Sequence, residues 1–101
     1  MGNISLDYKT NSVWLTEVGM PKQSVSLTAK EFQFLEYFMR HPGQIVTREQ
    51  LLAQMWSLEA EPMSNVVAAQ VRLLRRKLTS IGCDRLIETV YGLGYRFDPQ
   101  Y

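Results

Sequence analysis

Apolar residues change their spacing twice along this chain. Over residues 1–27 they alternate with polar ones: "ISLDY" (4–8), "VWLTEV" (13–18) and "QSVSL" (23–27), separated by "TNS" and "GMPK". A period of two bounded by turn residues predicts three short strands in an antiparallel meander with one buried face. From Thr28 the period lengthens. Phe32, Leu35, Phe38 and Met39 recur at helical spacing, and Thr28 followed three residues later by Glu31 is a capping box. "HPG" (41–43) ends that helix because Pro42 cannot continue it. "QIVT" (44–47) reads as a brief extended piece. Thr47 and Gln50 form a second capping box opening a helix whose apolar face is Leu51, Leu52, Met55 and Trp56.

After an acidic loop, "SLEAEPM" (57–63), a third helix is predicted over about Met63 to Ser80, stopped at Gly82. The alternation then returns. "IETVY" and "YRF" flank Gly92-Leu93-Gly94, which reads as a β-hairpin. The order of strands, three helices and a hairpin in 101 residues suits one α+β domain spanning 1–101.

The third helix carries the candidate chemistry. Advancing about 100° per residue from Val67 brings Val71, Leu74 and Leu78 back to within about 40°, so they form one inward stripe. Opposite lie Asn65, Ala69, Arg72 and Arg76, with Leu73 beside them and Gln70, Arg75 and Lys77 on the flanks. Charge agrees with this division: residues 1–61 hold five Lys/Arg and seven Asp/Glu, whereas residues 62–101 hold six and three. A DNA major groove, about 12 Å wide, admits one helix. Small and amide side chains near its N-terminal half suit base edges, and arginines further along suit guanine or phosphate. An amphipathic helix with a merely solvated basic face is the plain alternative. A helix, turn and helix followed by a basic hairpin is a winged helix–turn–helix plan, and it favours the duplex.

Three strings carry a closer likeness. "LTAKEFQFLEYFMRHPGQIVTREQLLAQMW" (27–56), "NVV…VRLLRRKL" (65–78) and "IETVYGLGYRF" (87–97) resemble the DNA-binding effector domain of OmpR/PhoB-type response regulators. The resemblance covers nearly the whole chain, including that family's four-stranded N-terminal sheet. It implies a transcription factor with the third helix in the major groove and the hairpin, or wing, at the minor groove, two copies occupying tandem half-sites. Carried over by position, it implies DNA contacts from Thr47, Arg48, Asn65, Ala69, Gln70, Arg72, Leu73, Arg75, Arg76, Thr89, Tyr91 and Arg96. Tyr91 stands where some members present an arginine, and the loop Ser57, Leu58, Glu59, Ala60 and Glu61 matches a segment that in some members meets RNA polymerase. Many members have "VDVHI" where this chain has "VAAQV" (67–71), and an arginine where Leu73 stands. No other member's base code can therefore be borrowed. The resemblance also implies a receiver module ahead of this domain, addressed by a histidine kinase; a protein of one domain is the alternative.

Other features weigh little. His41 has no acid–nucleophile pair around it in the sequence, and it reads as a helix-end residue. "GLG" is followed by no helix, which argues against a nucleotide loop. Trp56, Tyr95 and Phe97 read as packing residues, with Arg96 projecting outward between the last two. Cys83 is the only cysteine, so no intrachain disulfide or cysteine-based metal cluster is expected, and no cofactor. No apolar stretch approaches a membrane span and no secretion signal is visible, so the expected location is the cytoplasm. A protein-interaction module built on the acidic loop and Leu73 is the second function class; an enzyme is the third, and nothing in the sequence motivates it.

Overall fold

A computed structural model describes residues 3–56 and 65–99. Strands β1 (Asn3–Asp7), β2 (Ser12–Thr16) and β3 (Gln23–Ser26) form the N-terminal meander in the order β1-β2-β3. Val13 stands opposite Leu6 and Val25, and Leu15 opposite Ile4, so these five residues share the face turned to the core, while Trp14 stands on the other face opposite Ser5 and Ser24. The sheet has three strands among the described residues, not the four that the resemblance implied. Each strand also ends one or two residues before its alternation does, because Tyr8 and Asn11 are already in the first turn and Val18 in the second.

Helix α1 (Ala29–Arg40) begins at the expected capping box. The Thr28 hydroxyl accepts from the Glu31 N–H at 3.1 Å, and the Glu31 carboxylate accepts from the Thr28 N–H at 2.8 Å. His41 is the C-cap, with its ring tilted against Tyr37 and its Nδ1 2.8 Å from the Tyr37 carbonyl. Strand β4 (Ile45–Thr47) leads into α2 (Arg48–Met55), which carries the second capping box between Thr47 and Gln50. Trp56 caps α2 and packs edge-on against Phe34, as a packing residue should.

Helix α3 spans Val66–Ser80. Its predicted start near Met63 lies outside the described residues, as does the loop Ser57–Glu61. The other end is well defined: the Cys83 N–H donates to the Leu78 carbonyl and the Gly82 N–H to that of Thr79, with Gly82 at φ +84°. This pairing closes the last turn in the left-handed conformation that glycine adopts without steric cost. Val67, Val71, Leu74 and Leu78 are all buried, with Phe34, Leu35 and Phe38 of α1 in the same core.

Strands β5 (Ile87–Val90) and β6 (Gly94–Phe97) form the expected hairpin. β4 joins it as a third strand, giving the order β4-β6-β5. That pairing leaves no room for a side chain at residue 94: a Cβ there would stand 2.2 Å from the Val46 carbonyl oxygen. The wing is thus anchored through β4 to the start of α2. This is the winged helix–turn–helix architecture expected from the sequence.

Candidate nucleic-acid interface

The aliphatic stripe of α3 faces α1, which turns the opposite side outward. There Arg72 and Arg76 are exposed, and neither has a hydrogen bond or ion pair among the described residues. They lie four residues apart, about one turn, so two guanidinium groups follow each other along one face. Leu73 beside them is 38% exposed. At the helix start, Asn65 is the N-cap but its side chain makes no capping bond, so its amide is left to the surface. Ala69 one turn on is half-buried and presents a methyl at most.

Gln70 differs from expectation. A bidentate adenine contact uses both ends of an amide. Here Oε1 is buried without a hydrogen-bond partner, so only the NH2 end remains for a ligand in this arrangement.

Three further residues expected at the duplex are engaged within the protein. Arg75 donates from Nε to the Ile87 carbonyl at 3.0 Å and from Nη2 to the Thr89 hydroxyl at 2.8 Å. Its guanidinium also lies over the Tyr95 ring, 5.7 Å from the centroid. Arg96 pairs with Glu88, its cross-strand neighbour, at 2.5 Å. The reason is rotational position. Arg75 sits on the flank of α3 nearest the hairpin, and Arg96 and Glu88 share the outer face of β5 and β6, where opposite charges facing each other attract.

Lys77, on a flank of α3, is also committed inward. It pairs with the buried Glu31 at 3.0 Å and reaches the Ser26 carbonyl at 3.3 Å. Burial disfavours the charged form of Glu31. The Thr28 N–H, the Lys77 ammonium and the Thr28 hydroxyl outweigh that, so its carboxyl is held below the ordinary glutamate range. The sequence hid this contact because the two residues are 46 positions apart.

At the first turn of α2, the Thr47 hydroxyl accepts from the Gln50 N–H and keeps its own O–H as a donor. Arg48 is exposed beside it. Arg48, Glu49 and the wing residues Thr89–Tyr95 line one open concavity, so the helix start and the hairpin tip border a common hollow that holds one cation and one anion from α2. Tyr91 is 91% exposed at that tip, with Leu93 58% exposed beside it and no cation between them. Tyr95 and Phe97 behave as packing residues: Phe97 is buried, and Tyr95 meets Phe38 edge-on. Among the described residues, no cluster of His, Cys, Asp or Glu could hold a metal, and no helix is long and apolar enough to cross a membrane.

Residues 22–97 match the family model described as the C-terminal domain of transcriptional regulatory proteins. The chain is 47% identical over 100 residues to the response regulator RppA of Synechocystis sp., covering 96% of this chain and 43% of that protein. It is 34% identical over 101 residues to the phosphate regulon transcriptional regulatory protein PhoB of Escherichia coli (strain K12), covering all of this chain and 42% of that one. The chain therefore spans less than half the length of these relatives. Among solved structures, the DNA-binding domain of the response regulator AdeR, crystallised with an intercistronic region, superposes with a TM-score of 0.81 at 29% identity, covering 95% of this chain and 94% of the other.

Proposed function

Because the chain belongs to the family of transcriptional regulatory protein C-terminal domains, we propose that it binds duplex DNA sequence-specifically as the output domain of a two-component response regulator. In this reading α3 lies in the major groove with Asn65, Ala69, Gln70 and Leu73 toward base edges. Arg72 and Arg76 meet guanine or phosphate. Thr47 and Arg48 hold a phosphate at the positive end of α2, where helix N–H groups favour an anion. Tyr91 reaches the minor groove. The single observation that carries the reading is the outward face of α3: two exposed arginines one turn apart, unpaired among the described residues, beside a small residue and a free amide. A solvated helix face would not need the shaved surface at Ala69, nor a wing tip set beside the start of α2.

Several parts of the proposal rest on the family alone. These are tandem or dimeric occupation of half-sites, a receiver module ahead of this domain addressed by a cognate histidine kinase, polymerase contact through residues 57–61, and a cytoplasmic location. The test is selection of bound duplexes from a random library, followed by titration of the winner and of a scrambled duplex at two salt concentrations. The winner is expected to bind at least about a thousandfold more tightly than the scrambled duplex. Equal affinity for both would refute sequence-specific recognition.

A further inference from the structure

α3 rests on α1 through its aliphatic stripe, and the hairpin pairs with β4 and sends Ile87 and Phe97 into the same apolar core. Arg75 adds a directional link between the two elements, which apolar packing by itself does not supply. Among the described residues, the side-chain hydrogen bonds between α3 and the hairpin both come from Arg75.

The hairpin's backbone pattern sets the acceptors of this link. The Asp98 N–H donates to the Leu86 carbonyl, so residues 86, 88 and 90 turn their backbone groups toward β6. In an antiparallel pair the intervening residues turn theirs away. Ile87 therefore presents its carbonyl at the open edge of the sheet, since β5 is an edge strand. Arg75 occupies that carbonyl, takes the Thr89 hydroxyl two residues along, and lays its plane over Tyr95, which stands opposite Thr89 in the ladder. Tyr95 in turn meets Phe38 in the core under α3. Only a planar fork fits all three partners at once; a lysine ammonium carries the charge without that geometry.

We propose that Arg75 is a positioning residue that sets the angle between the recognition helix and the wing. It makes no phosphate contact of its own. A rigid angle matters because helix and wing must enter two grooves on either side of one phosphate ridge. Any swing of the hairpin has to be frozen on binding, which lowers affinity. The inference rests on the duplex-binding reading, and its test separates the two.

Arg75→Met and Thr89→Val are compared with Arg72→Ala in the full 101-residue chain. Arg75→Met is expected to weaken binding to the selected duplex by about tenfold. The slope of log affinity against log salt should stay unchanged, because no phosphate partner is lost. Arg72→Ala should instead shallow that slope by about one. Arg75→Lys is expected not to rescue. Amide exchange in β5 should speed up in free Arg75→Met and, to a lesser degree, in Thr89→Val, which alters no charge. Combining the two should add little beyond Arg75→Met alone, since they remove one linkage.

A slope that falls by one in Arg75→Met, full rescue by lysine, unchanged affinity, or additive effects would each overturn the proposal. If Arg75→Met fails to fold, Thr89→Val alone decides: unchanged β5 exchange and affinity overturn it. If the wild-type domain binds no duplex, the functional reading fails. β5 exchange then still decides whether Arg75 fastens the wing.

Discussion

Arg72, Arg75, Arg76 and Lys77 are four cations within six positions, and they divide into two pairs with different work. Arg72 and Arg76 stand on the outward face, unpaired among the described residues, whereas Arg75 and Lys77 are fastened to the wing and to α1. Replacing Arg76 by Ala is therefore expected to weaken duplex binding about five- to tenfold and to shallow the salt slope by about one, measured by fluorescence anisotropy at several salt concentrations. An undiminished slope would place Arg76 away from the phosphates. Tyr91→Ala is expected to weaken binding modestly, by about threefold, with the melting temperature unchanged. The ring is almost wholly exposed, so the fold loses little when it goes. An unaltered minor-groove footprint would show that the ring makes no contact there.

At the scale of elements, one carboxylate both starts α1 and ties it to α3, beside the apolar packing of Phe34, Leu35 and Phe38. Glu31 closes the capping box and pairs with Lys77 while itself buried. Its pKa is lowered in the folded state, so the stability it contributes is present above the ordinary glutamate range and lost as pH falls through the lowered value. The melting temperature should drop with acidification below that range, and Glu31→Gln should flatten the drop. At neutral pH that variant is expected to cost about 1 kcal/mol, a small figure because the Lys77 partner is partly in water. A pH profile parallel to that of the wild type would dissociate Glu31 from acid sensitivity. The wing sheet has a different weak point. Gly94→Ala would press a methyl into the Val46 carbonyl at a φ of +153°, and a loss of at least about 3 kcal/mol in urea denaturation is expected. A stable Gly94→Ala domain would mean that β4 can part from β6 at little cost.

Taken as a whole, the molecule is nearly neutral, with a formal net charge of +1. Its affinity for a polyanion must come from placement, since net attraction is small. With Arg48, Arg72 and Arg76 as the cations proposed at the backbone, one domain should show a log–log salt slope of roughly −3. A slope near −6 would mean that the internally paired Arg75, Lys77 and Arg96 let go of their partners and turn to the duplex. The regional charge imbalance accordingly marks the face but not the residues that form it. A count treats all six cations of residues 62–101 alike, whereas three of them are neutralised or occupied by the fold itself.

Elements governed by neighbours in the chain are legible in the sequence. Both capping boxes, the glycine stop after α3, the two tight turns and the inward stripe at Val67, Val71, Leu74 and Leu78 depend on contacts within a few residues, and local spacing encodes such contacts directly. Other features depend on which surfaces meet after the chain has folded back on itself. Among them are the joining of β4 to the hairpin, the Glu31–Lys77 pair, the inward turn of the Gln70 carbonyl, and the fork from Arg75 to Ile87 and Thr89. A residue on the flank of a helix can serve a ligand or a neighbouring strand equally well. Only the third dimension reveals which of the two stands within 3 Å of it.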